Sequence, residues 1–75
     1  MNTAAIQEFS LEGHEHITLN NLLKVEGLCE SGAMAKQVVA QGQVLVDGNV
    51  ELRKRCKIIA GQTVTFAGQS LRVVE

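Results

Sequence analysis

Four cations in five residues, Arg53-Lys54-Arg55-Cys56-Lys57, form the densest chemically active grouping in this chain. Holding a phosphate backbone requires several positive side chains at a spacing comparable to that of the phosphates. Arginine adds a planar fork that can meet two oxygens at once. If the segment is extended, Arg53, Arg55 and Lys57 share one face and Lys54 and Cys56 point the other way. The plain alternative is a solvated loop that keeps a small protein soluble.

Other reactive side chains are sparse. His14-Glu15-His16 together with Cys29 and Cys56 supplies metal-ligating atoms, but H-x-H with two isolated cysteines fits no common zinc spacing. Surface histidines in a polar link are the better account, and neither a metal nor a cofactor is expected. Catalysis has as little support. Ser31 is better used as a helix cap, neither cysteine has a base beside it in the sequence, and no carboxylates are paired at a useful spacing. Arg55 and Lys57 would lower the pKa of an accessible Cys56 thiol, although a half-buried strand position suits that residue better.

Seventy-five residues make one domain, 1–75, close to the size below which a chain cannot bury enough surface to fold alone. The first residues, Met1 to Gln7, carry little patterning and are expected to fray. No apolar run approaches the roughly 20 residues of a membrane span. The first residues also lack the charged and apolar regions of a signal peptide, so a cytoplasmic location with reduced cysteines is expected. The net charge of −1 gives no hint of a polyanion partner, but its distribution does. Residues 1–31 hold five glutamates against Lys24, whereas residues 32–75 hold six cations against Asp47, Glu51 and Glu75. Local potential, not the total, decides where a polyanion docks.

The elements that must position these charges can be read in order. Glu8 to Leu11 alternates polar and apolar residues as an edge strand would, with a turn at Gly13. Thr18 is placed to cap a first helix, with Ile17 and Leu22 as its hydrophobic staple, Leu19, Leu22 and Leu23 as its buried stripe, and Gly27 as its stop. A second helix starts at a Ser31 cap. Ala35, Val38, Val39 and Gly42 lie on one side of it, and Gly42 terminates it. Lys36 lies on the opposite side among Ala33, Gln37 and Ala40, small or neutral residues that let a bulky polyanion come close. The start of this helix, at Ser31-Gly32, presents backbone N–H donors and the positive end of the helix dipole. Gln43 to Val46 reads as a strand, Asp47-Gly48 as a tight hairpin turn, and Val50 to Leu52 as the returning strand. Ile58-Ile59, Ala60-Gly61-Gln62 and Thr63 to Phe66 read as strand, turn, strand. Ala67-Gly68-Gln69 turns again into a last strand with Leu71 and Val73 inward and Arg72 outward. The fold class is α+β: two short helices packed on a small, mostly antiparallel sheet.

Ser31, Ala35, Val39, Gly42, Val44, Val46, Asp47 and Gly48 have the spacing of the S4-like RNA-binding domain, or alpha-L motif, which the chain resembles from about Ile17 to Phe66. The segment from Glu51 to Lys57 looks like that of the small stand-alone bacterial members of the family. Many S4 domains carry arginine directly after the capping serine. Here that position is Gly32, and Lys36 one turn later can take part of the role.

The resemblance implies a non-enzymatic RNA-binding protein whose partner is structured RNA, ribosomal or transfer RNA, in a ribonucleoprotein setting. On that reading Lys36, Arg53, Lys54, Arg55 and Lys57 hold phosphates, assisted by Ser31 and Gly32. No membrane and no small-molecule substrate is implied. Phe9 and Phe66 are the only aromatic residues, and Phe66 fits the core pattern, so a base-stacking sheet surface is not expected. Recognition by backbone and shape is what remains. The competing reading is a protein-interaction module that pairs an acidic half with a basic half.

Overall fold

The computed structural model describes residues 6–75, and most of the expected frayed segment, residues 1–5, lies outside them. Gln7, also expected to fray, opens the first strand instead. The order is β1 (Gln7–Ser10), β2 (Ile17–Thr18), α1 (Leu19–Val25), α2 (Gly32–Ala40), β3 (Val44–Val46), β4 (Asn49–Val50), β5 (Lys57–Ile58), β6 (Thr63–Phe66) and β7 (Gln69–Val74). Five strands form one sheet in the order β1-β7-β6-β3-β4, and β2 and β5 form a separate antiparallel pair. Only β1 runs parallel to its neighbour, with Gln7 opposite Leu71. The fold is the expected α+β arrangement, its sheet mostly antiparallel.

Both helices are too short to persist alone and are held by packing. Leu19, Leu22 and Leu23 of α1 and Ala35, Val38 and Val39 of α2 are buried. They join Val44, Val46, Ile58, Val64, Phe66, Leu71 and Val73 in one core. Ser31 caps α2 as the sequence predicts, its Oγ accepting the Met34 N–H at 3.1 Å. At the other end Gly42 takes φ +76°. There its N–H meets the Val39 carbonyl, while the Gln43 N–H meets that of Val38. These two bonds satisfy carbonyls that the end of the helix would otherwise leave open, and the left-handed residue between them favours glycine.

Two tight hairpins set the register of the sheet. Asp47-Gly48 joins β3 to β4 and Ala67-Gly68 joins β6 to β7, and all four residues have positive φ. Such turns match the twist of the strands they connect. Asp47 also ties its turn to β6: its N–H meets the Thr63 carbonyl at 2.7 Å and its Oδ1 accepts the Thr63 N–H at 2.9 Å.

Four expectations fail in detail. The returning strand expected over Val50 to Leu52 is instead β4, Asn49–Val50, and Glu51 and Leu52 lie beyond it. Thr18 occupies the N-cap of α1 in extended geometry, but its side chain makes no capping hydrogen bond. Ile58 does not form a hairpin with Thr63–Phe66; it pairs with Ile17 in the separate β2–β5 ladder. The basic segment is not extended. The Cys56 N–H donates to the Arg53 carbonyl at 3.0 Å and folds Lys54-Arg55 into a turn. The start of α1 takes its hydrogen-bond acceptors from the basic turn, a long-range contact that local propensity does not encode.

Candidate nucleic-acid interface

The basic segment is held from both sides. The first N–H groups of α1, which have no partner inside the helix, donate to its carbonyls: Leu19 to Cys56 at 2.9 Å and Asn20 to Lys54 at 3.0 Å. Lys57 then enters β5 opposite Thr18. The same contacts therefore cap α1 and fix the backbone that carries the cations.

Arg53, Arg55, Cys56 and Lys57 line one open depression of about 430 Å³. Arg53, Arg55 and Lys57 thus meet on one surface, as an extended segment would have placed them, although a turn brings them there. Cys56, expected on the opposite side, lines the same depression. Lys54, at the turn, is exposed and lies outside it, and so do Ser31, Gly32 and Lys36. Lys36 is exposed beside Ala33, Gln37 and Ala40 on the face of α2 away from the core.

Glu51, which is not among the candidate residues of the sequence, shapes this site. Its carboxylate accepts Nε of Arg53 at 2.9 Å, Nη2 at 3.2 Å and the Arg53 backbone N–H at 3.0 Å. The hydrogen bonds from Arg53 and its charge hold the Glu51 carboxyl well below the usual carboxylate range, at about 2, and raise the pKa of the Arg53 guanidinium. The signal was present in the sequence: residues two apart in an extended stretch share a face, so Glu51 and Arg53 are placed to pair.

Among the described residues this is the only ion pair. Asp47 is engaged with Thr63 and, at 3.4 Å, with the Gln62 side-chain amide. Lys54, Arg55 and Lys57 therefore have no carboxylate partner, and residues 51–57 keep a formal charge of +3.

The cysteines are free thiols, Cys29 buried and Cys56 half-buried. Burial pushes the Cys56 thiol up, and the nearby Glu51 carboxylate adds to the rise. Cys56 is thus the half-buried residue the sequence favours, not a thiol lowered by Arg55 and Lys57, and it lacks the thiolate character of a nucleophile. Burial also raises the pKa of Cys29. His14 and Glu15 line a second depression, of about 490 Å³, with Glu75, Leu11, Ile59 and Ala60. Its charged groups are acidic, the opposite of what a polyanion needs. Among the described residues no three histidine, cysteine or acidic side chains gather as a metal site would, and no helix is long and apolar enough to cross a membrane.

The chain as a whole is similar to known proteins. A family model of the S4 domain matches residues 9–74. YbcJ of Escherichia coli K12, which is named as an RNA-binding protein, is 65% identical over 66 residues, covering 88% of this chain and 94% of its own. YbcJ of Shigella flexneri matches equally well. Neither is named as an enzyme. The solution structure of E. coli YbcJ, described as revealing an alpha-L motif involved in RNA binding, superposes with a TM-score of 0.74 at 57% identity. That match covers 100% of this chain and 95% of the other.

Proposed function

The chain belongs to the S4 domain family, and from that premise we propose that it binds structured RNA through the basic turn between β4 and β5. The observation that carries this reading is the depression where Arg53, Arg55 and Lys57 meet, on a backbone fixed by the start of α1. Lys54, exposed on the same turn, and Lys36, exposed on α2, are further candidate phosphate contacts. The Ser31-capped start of α2 offers the N–H groups of Gly32 and Ala33, which precede the first donor of the helix ladder. With no exposed aromatic platform, affinity comes mainly from phosphates and the shape of a folded RNA, ribosomal or transfer RNA. The protein acts in the cytoplasm and performs no catalysis of its own.

Salt dependence tests the proposal. Lys36, Lys54, Arg55 and Lys57 lack a carboxylate partner, whereas Arg53 shares its charge with Glu51. Four phosphate contacts at 0.7–0.9 each give a slope of log affinity against log salt of about −3. Filter binding of a folded RNA between 50 and 200 mM salt, taken as roughly a fourfold range, should then show a loss of about 60-fold. A flat response, or no binding at low salt, would favour a protein partner for the polarised surface.

A further inference from the structure

Immediately before the basic turn the chain exposes apolar side chains. Val50, in the edge strand β4, is 56% exposed, and Leu52, two residues beyond it in the link to the basic turn, is 61% exposed. Val50 stands opposite the partly exposed Leu45, so both lie on the face of the sheet turned away from buried Val44 and Val46. Both exposed side chains reach the same spot. Val50 Cγ1 and Leu52 Cδ2 lie 3.7 and 3.8 Å from the point a Cβ on Gly42 would occupy, so they converge over the bare backbone at the end of α2. Scattered surface valines and leucines need no explanation, but a contiguous ledge beside a charged cluster suggests a contact.

The neighbouring charges define what can sit there. Glu51, between the two apolar residues, turns its carboxylate to Arg53, and the next cations are unpaired. The occupant must therefore be anionic on one side and flat or apolar on the other. A nucleotide has that division. From Leu52 to Arg55 the chain spans at most about 10 Å, so a single strand can contact both the ledge and the cations. A base stacked inside a duplex hides its faces, and A-form helices offer side chains little access to them.

We propose that Val50 and Leu52 form an aliphatic ledge for one unpaired base, next to the cations that hold the phosphates of the same RNA. The preferred ligand is thus a folded RNA with an unstacked nucleotide at a bulge, loop or helix end, rather than a continuous duplex. This inference rests on the RNA-binding reading above.

The test compares two RNA hairpins of equal length, one with a fully paired stem and one with a single bulged uridine. Binding is measured by fluorescence anisotropy across salt, with the wild-type chain and a Val50→Thr/Leu52→Gln variant. The wild type should prefer the bulged hairpin by about five- to tenfold, a contact somewhat weaker than aromatic stacking. The variant should bind both hairpins with the wild-type affinity for the paired one and keep the wild-type salt slope, because no cation has changed. The Val50 and Leu52 methyl resonances of the wild type should shift with the bulged RNA and not with the paired one, a readout independent of how well the variant folds. Equal wild-type binding of both hairpins, with the salt slope intact, overturns the ledge and leaves the RNA reading standing. Salt-independent or absent binding of both overturns the two together. Methyl shifts with an acidic amphipathic peptide, and none with the bulged RNA, would make the ledge a protein interface and end the proposal.

Discussion

Replacing Arg55 and Lys57 together by alanine separates a phosphate site from a solubilising loop. Both side chains are exposed, and neither makes a side-chain hydrogen bond or ion pair among the described residues. The backbone contacts that hold the turn, Leu19 to Cys56 and Asn20 to Lys54, involve carbonyls and survive truncation of either side chain. Thermal stability should therefore change by no more than about 0.5 kcal/mol. RNA binding should change much more. Losing two of four contacts takes the salt slope from about −3 to about −1.5, so raising salt from about 50 to 200 mM weakens the variant roughly eightfold instead of about 60-fold. The two curves converge as salt rises, so the defect is largest in the most dilute buffer. Filter binding at four salt concentrations, with circular dichroism melts of both proteins, gives both numbers. Parallel salt slopes would mean that neither side chain reaches a phosphate, and a fall in melting temperature of ten degrees would make the pair structural. Either result refutes the site.

Further perturbations test the scaffold. Val39 is fully buried between the helices and the sheet, so Val39→Ala should cost about 1–3 kcal/mol in urea unfolding through the cavity it leaves, with the salt slope of the folded protein unchanged. Ala67 holds φ +53° in an exposed turn, where a Cβ is disfavoured by about 1–2 kcal/mol and asparagine is better tolerated. Ala67→Asn should therefore raise the melting temperature by about 4–8 °C for a gain near 1 kcal/mol. The Glu51 carboxyl should titrate at about 2 in a carbon-detected NMR experiment and move up towards the ordinary carboxylate value in Arg53→Ala. Because its folded pKa lies below the unfolded one, its contribution to stability is complete above the ordinary value and is lost as pH falls towards about 2. A Glu51→Gln variant should accordingly show a shallower loss of melting temperature across that acid range.

How much of this could be read in the sequence depends on whether a feature is local. The α2 helix was legible from end to end: a serine cap, an apolar stripe and a terminating glycine act within a dozen residues, and each has a specific backbone reason. The Asp47-Gly48 turn was legible for the same reason. The basic turn was not: a local bond from Cys56 to Arg53 closes it, but the amides of α1 that hold it in place lie more than 30 residues earlier in the chain. Periodicity can place Arg53, Arg55 and Lys57 on one face of an extended strand. It cannot show that the strand is interrupted or that Thr18 leaves its capping role to the carbonyls of Lys54 and Cys56. The pairing of β1 with β7 is similarly hidden, since nothing in Gln7–Ser10 indicates a partner some 60 residues away.

That non-local tie explains how a chain of net charge −1 can present a cationic surface. Cations on a free loop would spread to lower their mutual repulsion, and ordering them would cost entropy with each ligand. Here the backbone beneath them is already committed, because α1 cannot satisfy its first N–H groups without it. The carboxylates nearest in sequence are engaged as well: Asp47 holds a turn to β6, and Glu51 orients Arg53. What remains exposed is a group of positive side chains on a preordered backbone, with few acids free to neutralise them. On the proposed RNA reading, preorganisation of this kind would make each phosphate contact cost less ordering than a flexible basic tail. A substitution that loosens the start of α1 without touching a cation should then weaken RNA binding while leaving the salt slope near −3. Asn20→Pro does this, since it removes the N–H that Lys54 accepts. If affinity fell only in step with the loss of folded protein, the tie between helix and turn would have no part in binding.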